Sequence, residues 1–490
     1  MYLGIDIGTS GVKAVLCGGD DGDTVIGQAT ASLALSRPQP LWSEQDPAAW
    51  WTATGEAVAA LRAEHGDVLP AVRAVGLSGQ MHGATLLDNS GDVLRPAILW
   101  NDGRSESQCA ELERRQPRTR DITGNVAMPG FTAPKLLWVS EHEPELFDRV
   151  ARVLLPKDYV RWCMTGDFVS EMSDAAGTLW LDVAARDWSD EMLEATGLTR
   201  AHMPSLVEGS APSAHLKANV AEAWGVPAGI PVAGGGGDNA AGAAGIGAVV
   251  PGRAFLSLGT SGVYFLTNDR FSPNPEQGVH AFCHCLPDTW HQMSVILSAA
   301  SCLEWVTRMT GFESEAAGLT SVEKETKGPC KEIFLPYLSG ERTPHNDPNA
   351  KGVFFGLTHE TGRHHLVRAV LEGVAYAFAD GQDALVAAGA DIDTVSVIGG
   401  GARSRFWGEI LASVLNRPLT YHAGGELGPA FGAARLARLA DTGEDPRDVC
   451  MPPPVSDTVE PDPALSDAYA GRREMFDTLY PLLKKTFAEP

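Results

Sequence analysis

Short apolar runs broken by glycine-rich turns set the frame of this chain. Ile5-Asp6-Ile7 runs into Gly8-Thr9-Ser10-Gly11-Val12, and Leu256-Ser257-Leu258 runs into Gly259-Thr260-Ser261-Gly262-Val263, almost residue for residue. Each run reads as a strand, Gly-Thr-Ser-Gly as the tight turn after it, and the next apolar residues as a second strand. The same hairpin opening each half predicts a duplicated fold. Further strands are expected over 74–78, 97–100, 231–233 and 395–398, and one from Phe334. Helices are expected after Asp46 as N-cap with Pro47 in the first turn, within 130–142, over 239–247, within 352–372, from near Phe406, after the glycine-rich 424–430, and as a closing amphipathic helix over 464–487. The Pro- and Asp-rich stretch 441–462 reads as an exposed connection.

Chemistry gathers where these strands end. Glycine lets the backbone approach a ligand closely, and successive N–H groups with two hydroxyls form a nest for phosphate oxygens. Either Gly-Thr-Ser-Gly alone reads as an ordinary hairpin; two of them, one per half, point to one polyphosphate held from both sides. Asp238 follows four glycines at the start of a small-residue helix. An N-cap would explain it, but its place between the halves favours a catalytic carboxylate. Gln80-Met81-His82-Gly83 closes the strand over 74–78, where α/β folds meet their ligands. Trp100, then Asn101-Asp102-Gly103-Arg104, offers an amide, a carboxylate and a guanidinium suited to a polyol. Gly399-Gly400-Gly401 through Ser404 joins a strand to a helix N-terminus, a place for a flat ring or a phosphate and equally for a plain connection.

At 490 residues the chain exceeds one hydrophobic core, so two α/β domains are expected, 1–244 and 245–490. The formal net charge of -24 argues against a nucleic-acid partner. An anionic ligand must then be drawn in by backbone nests, helix N-termini or a bound cation. No apolar run approaches the roughly 20 residues of a membrane span, and the first residues enter a strand directly, which places the protein in the cytoplasm with no membrane partner. The eight cysteines read as reduced, mostly buried thiols. Cys283-His284-Cys285 lacks a second pair at metal-ligand spacing and reads as neighbouring strand positions.

With these residues in place, the chain resembles the FGGY carbohydrate kinase family over nearly its whole length. Residues 130–142 match its first signature and 352–372 its second. Residues 6–11, 258–262 and 399–404 are similar to the two phosphate motifs and the adenosine motif of the wider actin, Hsp70 and sugar kinase fold. The resemblance implies two ribonuclease H-like domains around a deep interdomain cleft, with ATP and Mg²⁺ as cofactors. It implies transfer of the γ-phosphoryl group to a sugar; Gln80-Met81-His82-Gly83 is similar to the loop of members that use D-xylulose rather than glycerol. By that correspondence Asp238 is the general base, and Gln80, Met81, His82, Trp100, Asn101, Asp102 and Asn239 face the sugar. Thr9, Ser10, Gly259, Thr260 and Ser261 hold the phosphates, Gly400, Gly401 and Ser404 the adenosine, and Asp6 the metal. The four glycines before Asp238 depart from relatives that carry fewer. A homodimer is a further expectation. Another ketose or polyol as acceptor, or an ATP-dependent switch protein without sugar chemistry, are the alternatives.

Overall fold

The computed structural model describes residues 1–19, 22–423 and 428–487. In a first seven-stranded sheet, β1 (Tyr2–Ile7), β2 (Gly11–Gly18) and β3 (Thr24–Ser32) form an antiparallel meander, and β4 (Ala74–Gly79) joins β1 in parallel. β5 (Pro212–His215) and β6 (Pro231–Ala233) complete the order β5-β6-β4-β1-β2-β3, with β7 (Gly236–Gly237) paired to the end of β4. The second sheet, also seven-stranded, contains β8 (Arg253–Leu258), β9 (Gly262–Asn268), β10 (His280–Cys283), β11 (Trp290–Ile296), β12 (Thr394–Ile398), β13 (Leu419–His422) and β14 (Val455–Val459), in the order β10-β11-β9-β8-β12-β13-β14. β1 and β8 are thus equivalent: each has a hairpin partner on one side and a parallel strand on the other. The duplication visible in the sequence is a duplication of topology.

Helices pack on these sheets, which is why their central strands are largely apolar, with Asp6, Ser78 and Ser257 near the strand ends as exceptions. α1 (Pro47–His65) starts where its cap dictates: the Asp46 carboxylate accepts from Ala48 N at 3.0 Å and Pro47 occupies the first turn. Its Trp50, Ala57, Val58 and Leu61 pack on Leu3, Ile5, Ile7, Val12 and Leu16. Each fully buried aliphatic side chain there stabilises the fold by about 1.5–3 kcal/mol. α2 (Thr132–His142), α3 (Asp238–Ile246), α5 (Arg363–Ala387) and α6 (Arg405–Leu415) lie where helices are expected or extend them, while α4 (Ala300–Met309) is a helix not among those expected. α7 (Gly428–Thr442) leaves the second sheet after β13 and lies on the first, where Ala430, Phe431, Ala434 and Ala437 meet Tyr2, Val15, Cys17 and Ala74. α8 (Pro463–Phe487) closes the described chain.

α3 and α7 cross with almost no side chain between them. A Cβ at Gly432 would stand 1.7 Å from the Ala241 carbonyl oxygen, so this approach excludes any other residue. Arg435 of α7 ties the crossing down, donating to Ala244 O and Gly245 O at 3.0 Å each and pairing with Asp23 at 2.6 Å.

Two expectations need correction, and the N-cap alternative for Asp238 falls away. The stretch 441–462 contains strand β14, antiparallel to β13 with Leu419 opposite Val459. Four of its five side chains are exposed, so its apolar pattern gave no signal and the neighbouring backbone supplies the pairing. The strand expected over 97–100 shrinks to Ala97–Ile98, paired with Glu44–Gln45. Asp238 is the first residue of α3 rather than its cap, which is Gly237. In the glycine-rich turn 424–430, residues 424–427 lie outside the described residues. No helix among the described residues is long and apolar enough to cross a membrane.

Candidate active site

The two Gly-Thr-Ser-Gly turns leave equivalent strands. In the first, Gly8 N donates to Gly11 O at 3.0 Å, and Thr9 is held on every side. Its hydroxyl donates to Gln80 Oε1 and accepts from Trp100 Nε1, both at 3.0 Å, and its carbonyl accepts from Gln45 Nε2 at 2.7 Å. Gln45 Oε1 in turn accepts from Trp50 Nε1 and Gln80 Nε2, both at 2.9 Å. Sequence reasoning missed Gln45, because its contacts come from three distant segments. In the second turn Gly259 N donates to Ser261 O at 3.1 Å. The carbonyls of Gly259 and Thr260 accept from Ala300 N and Ala299 N at 2.9 Å, which docks this turn on the start of α4. Asp6 of the first copy has Ser257 as its counterpart in the second, so only the first copy carries a carboxylate at this position.

Gly259, Thr260, Gly400, Gly401 and Ser404 share the walls of one cavity of about 640 Å³ with Ala300, Glu304 and Phe406. The structure therefore gathers the expected second phosphate turn and the expected adenosine residues in one place. Ser404 also caps α6, accepting from Trp407 N at 3.2 Å.

Asp238 reaches its position through β7. Gly237 stands opposite Gly79 in parallel pairing, which sets Asp238 beside the Gln80–His82 loop. A Cβ at Gly237 would lie 2.9 Å from Met81 Cγ, so the strand can pass this close only as glycine. Ser173 Oγ accepts from Gly237 N at 3.0 Å, itself held by Glu171 at 2.9 Å, and Arg161 donates to Gly234 O. These belong to a fully buried charged cluster in which Lys157 bridges Asp158 at 2.9 Å and Asp174 at 2.8 Å. Asp238 Oδ1 accepts from Asn239 N at 2.7 Å and Asn239 Nδ2 at 2.9 Å, leaving Oδ2 available. Burial raises the Asp238 carboxyl to about 6 against the two Asn239 hydrogen bonds that lower it. Burial, then the charge of Asp238, raises Asp6 to about 7. Asp238 and Asn239 front a cavity of about 180 Å³ that reaches Ser257 and Ile398 of the second sheet.

His82 adopts φ 69°, a left-handed conformation that costs about 1–3 kcal/mol in a residue other than glycine. Its surroundings impose it. Lys135 Nζ donates to His82 O at 2.9 Å and to Gly130 O at 2.7 Å, and Thr132 Oγ1 donates to His82 O at 3.2 Å. The ring Nδ1 meets Gly177 O at 2.5 Å, so it carries the proton and Nε2 is left as an acceptor. Burial, then the nearby Lys135, lowers His82 to about 3, which keeps the imidazole neutral at ordinary pH. Burial lowers Lys135 itself to about 7. Nothing in the local sequence pattern marks Lys135 as the clamp of a loop 53 positions away.

The 100–104 loop divides. Trp100, 41% exposed, is held over the first turn by its bond to Thr9 with a face of the ring open, and Asn101 is exposed beside it. Asp102 borders the same opening, but its carboxylate is committed: it accepts from Ser43 N at 2.6 Å and pairs with Arg104 at 2.6 Å. Arg104 also pairs with Glu44 and lies 3.6 Å over the Trp42 ring. Away from this centre, Cys283 at the end of β10 and Cys285 in the bend beyond it, rather than neighbours within a strand, are buried and donate to Val183 O and Ala240 O at 3.5 and 3.4 Å.

Two sheets duplicated around glycine turns, facing one carboxylate and one polar loop, define an ATP-dependent phosphotransferase of the actin, Hsp70 and sugar kinase type. The family models agree: the N-terminal domain of the FGGY family of carbohydrate kinases matches residues 1–245 and its C-terminal domain matches 254–440. The chain belongs to the FGGY family of carbohydrate kinases, and ATP as its phosphoryl donor follows from membership. It is 56% identical over 481 residues to the xylulose kinase of Escherichia coli (strain K12), covering 98% of each chain. To the xylulose kinase of Klebsiella pneumoniae it is 54% identical over 487 residues, 99% of each. The crystal structure of a xyloylose kinase from Brucella ovis superposes with a TM-score of 0.96 at 52% identity over 99% of both chains.

Proposed function

We propose that this carbohydrate kinase transfers the γ-phosphoryl group of ATP to the terminal hydroxyl of D-xylulose, giving D-xylulose 5-phosphate and ADP. The observation that carries the reading is the seating of Asp238 against the Met81–His82 loop, in a chain 56% identical to a xylulose kinase over its full length. Phosphoryl transfer asks a protein chiefly for positioning and charge neutralisation. Asp238 Oδ2 accepts the proton of the attacking hydroxyl, while Asn239 fixes the carboxylate through Oδ1. Gln80, Met81, His82, Trp100 and Asn101 surround the sugar. His82 Nε2 accepts from a sugar hydroxyl because its Nδ1 is committed to Gly177.

Thr9, Ser10, Gly259, Thr260 and Ser261 receive the phosphates from the two sides, with the adenosine against Gly400, Gly401 and Ser404. A divalent cation suits Asp6, whose buried Oδ1 has no partner among the described residues and whose carboxyl is held up by burial and by Asp238. Bound Mg²⁺ supplies positive charge to the triphosphate. The same reading divides the chain at 244/245, inside α3, and places the enzyme in the cytoplasm as a homodimer, which sedimentation velocity checks.

The test is ADP release in a coupled assay with Mg·ATP and D-xylulose, L-ribulose, D-ribulose, glycerol or gluconate. Stimulation by D-xylulose above the others is expected. Stimulation by another sugar moves the substrate, and ATP turnover indifferent to every sugar overturns the kinase reading in favour of an ATP switch.

A further inference from the structure

A second cavity, of about 290 Å³, opens beside the sugar loop, and both halves of the chain build it. Trp100, Asn101 and Gly130 come from the first half, Leu297, Glu341 and Arg342 from the second. Gly130 and His82 share the Lys135 clamp, so this cavity adjoins the loop that meets the sugar.

Arg342 is the unusual member of this wall. Among the described residues its guanidinium makes a single hydrogen bond, Nη1 to His280 Nε2 at 3.2 Å, although it carries five N–H donors. The polarity of that bond is fixed from behind. Asn125 Nδ2 donates to Thr123 O at 2.7 Å and Ala281 O at 3.0 Å, so its Oδ1 must accept. It accepts from His280 Nδ1 at 3.1 Å, which leaves His280 Nε2 as the acceptor for Arg342. Burial keeps His280 neutral. The His280 ring lies edge-on to Phe131 at 5.4 Å, and Phe131 edge-on to His82 at 5.0 Å, so Arg342 is braced against the sugar loop through aromatic rings. Glu341 Oε1 accepts from Leu297 N at 2.9 Å and Arg342 N at 2.7 Å, while its buried Oε2 has no partner among the described residues. A braced guanidinium with spare donors, beside a carboxyl oxygen free to accept or donate, presents a matched polar pair to a ligand in the cavity.

We infer that Arg342 is a specificity-determining residue of the sugar site, donating to the carbonyl oxygen and adjacent hydroxyl at the ketone end of a ketose whose other end faces Asp238. The inference rests on the ketose kinase reading above. A carbonyl and its neighbouring hydroxyl present two acceptors to the parallel donors of a guanidinium, and Glu341 Oε2 lies within the same wall for the terminal hydroxyl. A polyol of equal length carries an sp³ hydroxyl in place of the carbonyl, an acceptor without the in-plane lone pairs that match the parallel guanidinium donors, and so fits the pair of donors less well. Sites built around such a hydrogen bond discriminate strongly against analogues that lack it.

The experiment compares D-xylulose, by its KM, with xylitol, by its inhibition constant or its own KM, for wild type, R342M and R342Q. R342M should raise the D-xylulose KM at least tenfold and change the xylitol constant no more than about threefold, so the ketose preference collapses while kcat falls less than KM rises. R342Q, which keeps a polar donor, should recover part of the preference and carries the test if the melting curve of R342M shows that it does not fold. An unchanged ketose-to-polyol ratio in both variants overturns the inference, whatever happens to the rate. Wild type that turns over another ketose moves the comparison to that ketose and its reduced polyol. Wild type that turns over no sugar overturns this inference and the substrate reading together.

Discussion

Asp238 and Asp6 show how one environment serves chemistry at the expense of stability. Their carboxyls stand at about 6 and about 7, against an ordinary 3.8, chiefly because burial penalises their charge. A general base must be ionised, so kcat/KM should climb as pH rises through about 6 to 7 and flatten above it. Asp238→Asn keeps the shape and removes the proton acceptor; turnover should fall by about 10²–10⁴-fold while an ATP analogue still binds, measured by steady-state rates and calorimetry. Retained turnover would remove Asp238 from its role. For stability the sign is opposite. A carboxyl whose folded pKa lies above its unfolded value holds its proton better when folded, so its contribution is present at low pH and is lost as pH rises through the folded pKa. Asp238→Asn and Asp6→Asn should therefore melt higher than wild type at pH 8 without Mg²⁺, and alike at pH 4. Thermal denaturation at the two pH values checks this, and equal melting at pH 8 contradicts the buried charges.

At the scale of elements, the α3–α7 crossing is the most demanding contact. The Gly432 position faces backbone, the Ala241 carbonyl, which cannot rotate aside as a side chain would. Gly432→Ala should destabilise by about 1–3 kcal/mol through overpacking, read as a lower urea midpoint at unchanged slope; an unchanged midpoint would mean that the helices separate freely. Elements of this kind were partly legible beforehand. The two hairpins, α1 with its Asp46–Pro47 start, and the strands leading to Gly79 and Gly399 follow from patterns contained within single windows of sequence. β14 did not, because an edge strand with exposed side chains owes its existence to the neighbouring β13. The site divides the same way. Turn glycines, Asp238 and the Met81–His82 loop carry local signals. Gln45, Lys135, Ser173 and Arg342 act through contacts 36 to 64 positions away, which no single stretch displays. Asp102 shows the converse, for its residue type suits a polyol while Arg104 and Ser43 have already claimed its carboxylate.

For the whole molecule, duplication places one Gly-Thr-Ser-Gly turn on each sheet, while the Gln80–His82 loop follows a strand of the first and Arg342 lies in a loop of the second half. On the reading proposed above, a polyphosphate gripped by both turns and a sugar touched by both halves would favour the same closed arrangement. Whichever ligand binds first bears the cost of bringing the halves together, and the second meets them already closed. The coupling must then be reciprocal: the factor by which sugar tightens a non-hydrolysable ATP analogue equals the factor by which the analogue tightens sugar. Titration calorimetry with each ligand alone and with the other saturating should give equal factors, of about 5- to 150-fold. Thr260→Val, which removes one hydroxyl from the second turn, should weaken analogue binding and shrink the coupling seen from the sugar side by the same ratio. Independent binding, with both factors near one, would mean that the two turns do not hold one ligand and that the cleft is already closed before either substrate arrives.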